Sequence, residues 1–294
     1  MADVMAPPRR RLPKMGDTTI SLSLSVLVIL ALAVFFVVPV IAILWRSFDT
    51  GAGFGLGNYV AALSDPRIWE LVINSLTVSG LSAICAVTLA YFYAYALQRT
   101  NVVWKSALRM VVMLPLFAPS LIQAQGLIFL LGRNGIFNRF LGFDIEIYGF
   151  WGVAIANTLY TFPYAFLILS AALAVADARL YEGAIVMGAR PFKIFRTVTL
   201  ASTKFGIAAA LFVAFSLSIT DFGNAIVIGG NFDVLATEIY SKVIGQAQFH
   251  LGAVIGVILL VPAALSKLIV ERISKKQHAQ VTDKSVALQI RPNR

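Results

Sequence analysis

The sequence predicts an all-α protein that crosses a membrane six times. Three observations carry that reading. Apolar residues make up 59% of the 294 residues and charged residues only 13%, whereas soluble domains run near about 45–50% and about 25%. Six long stretches are free of charge or interrupted once. Strict alternation, the mark of membrane strands of about 10 residues, is missing. A chain this poor in polar residues cannot cover a water-facing surface. Disordered, collagen-like and coiled-coil classes are excluded by the same numbers. The single cysteine, Cys85, excludes an intrachain disulfide, and its setting SAICAVTLAY reads as helix packing.

The spans follow from counting. Residues 18–45, 71–98, 110–132, 147–176 and 243–266 carry no Asp, Glu, Lys or Arg, and 205–232 is interrupted only by Asp221. About 20 apolar residues cross a core of about 30 Å. Helices are therefore expected at roughly 19–45, 73–97, 107–131, 148–172, 205–228 and 247–270. The first follows a basic arm, but it is too long for a signal peptide and no small-residue cleavage site follows it. It is expected to remain as an anchor.

Charge sets the orientation. With both termini cytoplasmic, 19 Lys and Arg lie inside and 5 outside, namely Arg46, Arg67, Arg133, Arg139 and Lys242. The positive-inside rule favours that arrangement. The net charge of +10 is then a signal of topology and of contact with membrane lipid, with no nucleic-acid partner expected. No internal repeat is visible. The organisation expected is a basic arm (1–18), one six-helix domain (19–270) and a basic tail (271–294). Outside, the Gly-rich residues 46–72 turn at Asp65-Pro66 and suit a short amphipathic segment, and 132–147 form a second outer loop. Inside, the loop 173–204 reads as helical.

Signatures of catalysis are missing from the sequence. It contains no HExxH, GxSxG or CxxC, and His250 and His278 have no partners at metal-ligand spacing. No Gly-Lys dipeptide occurs, which excludes a P-loop. The chain is expected to be no enzyme, to hold no metal or cofactor, and to leave ATP to a partner. Coupled carriers bury several ionisable groups along their path, whereas Asp221 is the single clear candidate here. A self-contained carrier or channel is the alternative class.

Asp221 lies sixteen residues from Phe205, about 24 Å along a helix. A carboxylate at that depth must face a cavity or a partner. It either attracts a cationic group on an arriving solute or caps the outer end of helix 5 beside Gly223. Gln123, Gln125, Asn157, Tyr160 and Asn224 are the other candidates for a path, with interhelical hydrogen bonding as the competing role. Pro163 should break the ladder of helix 4 and free carbonyls. Tyr91, Phe92, Tyr93 and Tyr95 read as an aromatic belt at the inner interface.

The inner loop, ADARLYEGAIVMGARPFKIFRTVTLASTK, is the most informative segment. Asp177 can cap a short helix over Leu180 to Met187. Gly188 can take the positive φ of its C-terminus, and Pro191 suits the start of a second short helix. Phe192, Phe195 and Val198 then recur on one face, an apolar stripe that fits a groove on a soluble partner or an anionic lipid surface. Glu182 can pair with Arg190 or with a basic group on that partner.

Glu182, Ala184, Gly188, Ala189, Phe195, Val198 and Leu200 together resemble the EAA loop of binding-protein-dependent ABC importer permeases. Gly183 stands where the family has its first Ala, and Ala201 stands where it has a closing Pro. MLPLFAPS in helix 3 with Pro115 and Pro119, Pro163-Tyr164 in helix 4, and SITDFGNAIVIGGNFDVLATEIY are similar to the same family over about residues 70–270. The last stretch most resembles the iron(III), thiamine, polyamine and 2-aminoethylphosphonate branch. The resemblance implies the type I importer permease fold in a bacterial inner membrane. It implies two cytoplasmic ATPase subunits, a second permease subunit (identical or paralogous) and a periplasmic binding protein as partners. The coupling loop would comprise Glu182, Gly183, Ala184, Gly188, Ala189, Pro191, Phe192, Phe195 and Leu200. The substrate it favours is 2-aminoethylphosphonate, with iron(III), polyamine or thiamine as alternatives.

Overall fold

The computed structural model describes residues 15–51, 53–142, 146–175 and 177–280. Most of the basic arm and the end of the tail, with several of the cations behind the orientation, lie outside the described residues. The protein is nearly all helical. Helix α1 (Ile20–Phe48) is exposed along most of its apolar length, as a helix facing lipid must be. Its ladder widens to a π-turn over Ala33–Val37, just before Pro39, which has no N–H to donate. Helix α2 (Gly57–Ser64) is short. Helix α3 (Pro66–Arg99) starts on Asp65, whose carboxylate accepts the Arg67 N–H. It begins seven residues before the expected 73 because a count of charge-free residues stops at Glu70, while a helix end tolerates charge.

The third span is broken. Helix α4 (Lys105–Phe117) and the stretch Ser120–Leu141 meet at a bend of 110°, where one helix was expected over 107–131. That stretch contains α5 (Ser120–Leu131) and α6 (Ile136–Leu141). Pro115 and Pro119 remove two N–H donors. The Gln123 amide repairs part of the loss by donating to the carbonyls of Pro115 and Ala118, at 2.8 and 3.0 Å. Helix α7 (Phe150–Ala174) keeps Pro163 inside, so the N–H missing from its ladder does not end the helix.

Helix α8 (Ala178–Val186) occupies the inner loop. It is followed by α9 (Pro191–Ile219), which runs from the loop into the membrane without interruption. The second short helix expected from Pro191 is therefore the first turn of the fifth span. Ala201, in place of a proline, gives the chain no reason to stop. At its far end α9 halts at Ile219, and α10 (Gly223–Ile228) resumes after a short break, where a continuous helix to 228 was expected. Helix α11 (Leu235–Tyr240) and a π-turn over Ser241–Gly245 lead to α12 (Phe249–Gln280). Helices α1, α3, α7, α9 and α12 are long and apolar enough to cross a membrane, and the broken third span, counted as one, makes six.

The core has two layers. One gathers Leu71, Val78, Val153, Ile219, Ile228 and Ile255. The other, on the side of the 173–204 loop, gathers Val87, Tyr91, Phe166, Leu169, Leu173 and Ala214. Small residues let the backbones approach, as is usual between membrane helices. Ala83, Ala86, Ala90 and Ala94 line one buried face of α3. On α9, a Cβ at Gly206 would stand 2.4 Å from the Cβ of Ala172, so only glycine permits the contact with α7.

Candidate functional site

Two features stand at opposite ends of α9. The first is the loop. The Asp177 carboxylate caps α8 by accepting the Arg179 N–H at 3.0 Å. Gly188 has φ +71° and closes the helix with two bonds, Gly188 N–H to Ile185 O at 2.9 Å and Ala189 N–H to Ala184 O at 3.0 Å. That pair of bonds is a Schellman motif, which satisfies carbonyls left over at a helix end. Arg190 is extended and Pro191 opens α9.

This rigid turn presents apolar side chains to the outside. Val186 is 87% exposed, Met187 81% and Phe192 75%, with Leu180 and Ile185 beside them. An open groove of about 750 Å³ is lined by Leu180, Met187, Arg190, Lys193 and Val198. Glu182 is exposed and forms no ion pair among the described residues, so the pairing with Arg190 is not made. The outward face differs from the expected stripe. Phe195 turns inward onto Tyr91 and Tyr95, edge to face at 6.1 and 5.2 Å, and Val198 is half-buried. Because α9 is continuous, that stripe faces the bundle, and only Phe192 remains free.

Nor do the aromatics of α3 form a belt. Tyr91 is buried and its hydroxyl lies 3.1 Å from that of Thr203. Tyr93 donates to Leu108 O at 3.0 Å and packs on Phe162 and Phe166. Of the four, Phe92 faces outward. The hydroxyls of Tyr91 and Tyr93 found partners within the protein, and the ring of Tyr95 packs on Phe195.

The second feature is a buried polar junction where the two broken spans meet. A Cβ at Gly223 would fall 2.4 Å from Ser120 Oγ and 2.8 Å from Leu121 N, so the breaks in the third and fifth spans touch. Asp221, 9% exposed, accepts the Asn224 N–H at 2.8 Å. Asn224 Nδ2 donates to Asn157 Oδ1 at 2.8 Å, and Asn157 Nδ2 donates to Ser218 Oγ at 2.9 Å. Asp221, Asn224 and Asn157 are thus brought together. Tyr160 is half-buried one turn along α7 and packed edge to face on Tyr164. Gln123 serves the helix break instead, and Gln125 is exposed on α5.

The junction is closed and its bonding is incomplete. A cavity of about 10 Å³ remains between Ser79, Asn157, Ser218 and Asp221, room for at most about one water. Ser79 Oγ and Asn224 Oδ1 are buried with no hydrogen-bond partner. Ser79, Ser120 and Ser218 carry no signal in the sequence, because a membrane serine commonly bonds its own helix. Tyr181 was more legible. Ala178, Tyr181 and Ala184 recur every third residue, and all three are buried.

Comparison with known proteins agrees with this architecture. A family model described as the binding-protein-dependent transport system inner membrane component matches residues 86–278. A putative ferric transport system permease protein of Haemophilus influenzae is 31% identical over 255 residues, covering 84% of this chain and 40% of the relative. The chain thus spans about two-fifths of that relative's length. A molybdenum transport system permease protein of Escherichia coli is 31% identical over 172 residues, covering 58% of this chain and 75% of the relative. In fold, the crystal structure of a bacterial alginate ABC transporter in complex with a periplasmic protein carrying an alginate pentasaccharide contains a chain that matches with a TM-score of 0.70 at 20% identity. The match covers 92% of this chain and 98% of the other. With more than half of its length matched by the family model, this chain belongs to the family of binding-protein-dependent transport system inner membrane components.

Proposed function

We propose that the chain is the permease subunit of an ATP-driven importer in a bacterial inner membrane, with both termini in the cytoplasm. A periplasmic binding protein delivers the solute at the outer face. A second permease subunit completes the path, and two cytoplasmic ATPase subunits dock on the loop around Glu182, Gly183, Ala184, Gly188, Ala189, Pro191 and Phe192. The observation that carries this reading is the exposed apolar face of α8 and Phe192, held on a turn that only a positive φ allows. Such a face suits a groove on a soluble partner. Closure of the ATPases moves the loop, and α9 carries the movement to the junction at Asp221 as a rigid element. The chain performs no bond chemistry and needs no cofactor of its own.

For the solute, the ferric relative moves the reading from 2-aminoethylphosphonate to iron(III). Asp221 and the Tyr160 hydroxyl supply oxygen donors, which suit a hard cation, and a carboxylate would also draw an amine. The test is ATP-dependent uptake into vesicles holding the permease with its ATPase and binding protein. Radioactive iron(III) should accumulate and 2-aminoethylphosphonate or putrescine should not. Accumulation of 2-aminoethylphosphonate alone would overturn the iron reading and leave the importer role standing. Uptake without any ATPase would overturn the importer role in favour of a self-contained carrier.

A further inference from the structure

Beneath the docking face lies a polar network that docking itself does not require. Arg99, in the last turn of α3, donates from Nη2 to Leu173 O in the last turn of α7, at 2.8 Å. Its guanidinium lies over the ring of Tyr181 on α8, 4.6 Å from the centroid. Gln98 Nε2 reinforces the corner with a 2.9 Å bond to Ser170 Oγ. The Tyr181 hydroxyl donates to Thr199 Oγ1 at 3.1 Å, and Thr199 belongs to the π-turn of α9 over Phe195–Thr199. The Thr199 carbonyl accepts the hydroxyls of Ser202 and Thr203, at 3.0 and 2.8 Å. Thr203 Oγ1 meets the Tyr91 hydroxyl, which returns the network to α3.

The network therefore closes a ring through α3, α8 and α9, and Arg99 and Gln98 tie α7 to it. Thr199, Thr203, Tyr91 and Tyr181 are all buried. Hydrogen bonds in such surroundings are strong and directional. Of the buried residues of α8, Ala178 and Ala184 offer only methyl groups. Tyr181 is the one that can hold the spans in a fixed register. The π-turn at Thr199 is the place where α9 has pitch to gain or lose, as such turns often mark working positions.

We propose that Arg99 and Tyr181 are positioning residues that transmit displacement of α8 to the spans α3 and α9. The proposal rests on the reading of α8 as the ATPase-docking element. It separates two tasks within one loop: the outer face of α8 holds the ATPase, and the inner face makes the spans follow.

The assay uses the full complex in vesicles, with three measurements: ATPase retained on purification, stimulation of hydrolysis by the loaded binding protein, and uptake. Tyr181→Phe removes one hydroxyl and leaves the ring beneath Arg99. It should retain the ATPase, yet lose about fivefold of the stimulation, the factor of one hydrogen bond. Arg99→Gln should lose more, and Arg99→Lys, which keeps a cation over the ring, should recover most of it. Parental stimulation in both Tyr181→Phe and Arg99→Gln would overturn the joint. Loss of the ATPase in Tyr181→Phe would also overturn it, by making Tyr181 part of the docking contact. Met187→Asp on the outer face checks the docking reading separately: it should strip the ATPase, and full retention would sink that reading whatever the joint variants do.

Discussion

Gly188→Val isolates the turn on which the loop depends. A Cβ at Gly188 meets no atom within 4 Å, so a side chain there adds no clash, and the cost is that of the backbone alone. At φ +71° that cost is about 1–2 kcal/mol for an ordinary L residue and up to about 3 kcal/mol at a strained site. Taking about 2 kcal/mol for a β-branched residue, the balance shifts away from the native turn by about 30-fold. The two closing bonds, 2.9 and 3.0 Å, open together, and α8 loses its fixed angle to Phe192. The spans are untouched, so insertion and yield should equal the parent's. Hydrogen exchange should quicken at the amides of residues 188 and 189, and the purified complex should lose ATPase and transport. Gly188→Asn, whose side chain tolerates the left-handed region, should stay close to the parent. A valine variant that exchanges slowly and transports at the parental rate would refute the link between this turn and ATPase docking.

Asp221→Asn keeps the cap on Asn224 and removes the charge. The complex should assemble normally with weaker affinity for a cationic solute, and unchanged uptake kinetics would leave Asp221 the capping role alone. Phe195→Ala deletes the edge-to-face contacts with Tyr91 and Tyr95 and should cost about 3 kcal/mol, read as a lower Tm. Phe192→Ala should leave Tm unchanged and reduce ATPase retention. Reporter fusions at residue 15, within 173–204 and at residue 280 should all report the cytoplasm, and a periplasmic signal from the loop would remove its docking role.

The spans were legible because charge is costly in hydrocarbon, and that is also why their ends were not. Arg67 and Glu70 lie in the first turns of α3, where a charge reaches water. The broken third span shows a different limit. Pro115 and Pro119 announce lost donors, but whether a helix kinks or breaks depends on what replaces them, and here Gln123 reaches back across the bend. Period-three patterns were read correctly as faces and wrongly as to direction. Phe195 looks inward because α9 continues past Ala201, and the hydroxyls of Tyr91 and Tyr93 find Thr203 and Leu108 rather than an interface. Gly188 and Asp177 were legible for the opposite reason: a cap and a left-handed turn are local, and no distant packing can overrule them.

The two ends of α9 are coupled by how tightly its middle is held. The helix has 29 residues, about 43 Å at 1.5 Å each, and Gly206 leaves no space even for a methyl group against Ala172 of α7. Close-packed surfaces of this kind are bistable and resist gradual sliding. A displacement that passes the π-turn at Thr199 is then not absorbed between α9 and α7, and appears where the packing ends. That place is the break after Ile219. There Asn224 Oδ1 and Ser79 Oγ already lack partners, so the closed junction forgoes bonds that an open arrangement or an arriving solute can supply. Each unsatisfied buried group costs about 1–3 kcal/mol. These unmet groups mark the junction as a place where a displacement carried by α9 would be accommodated.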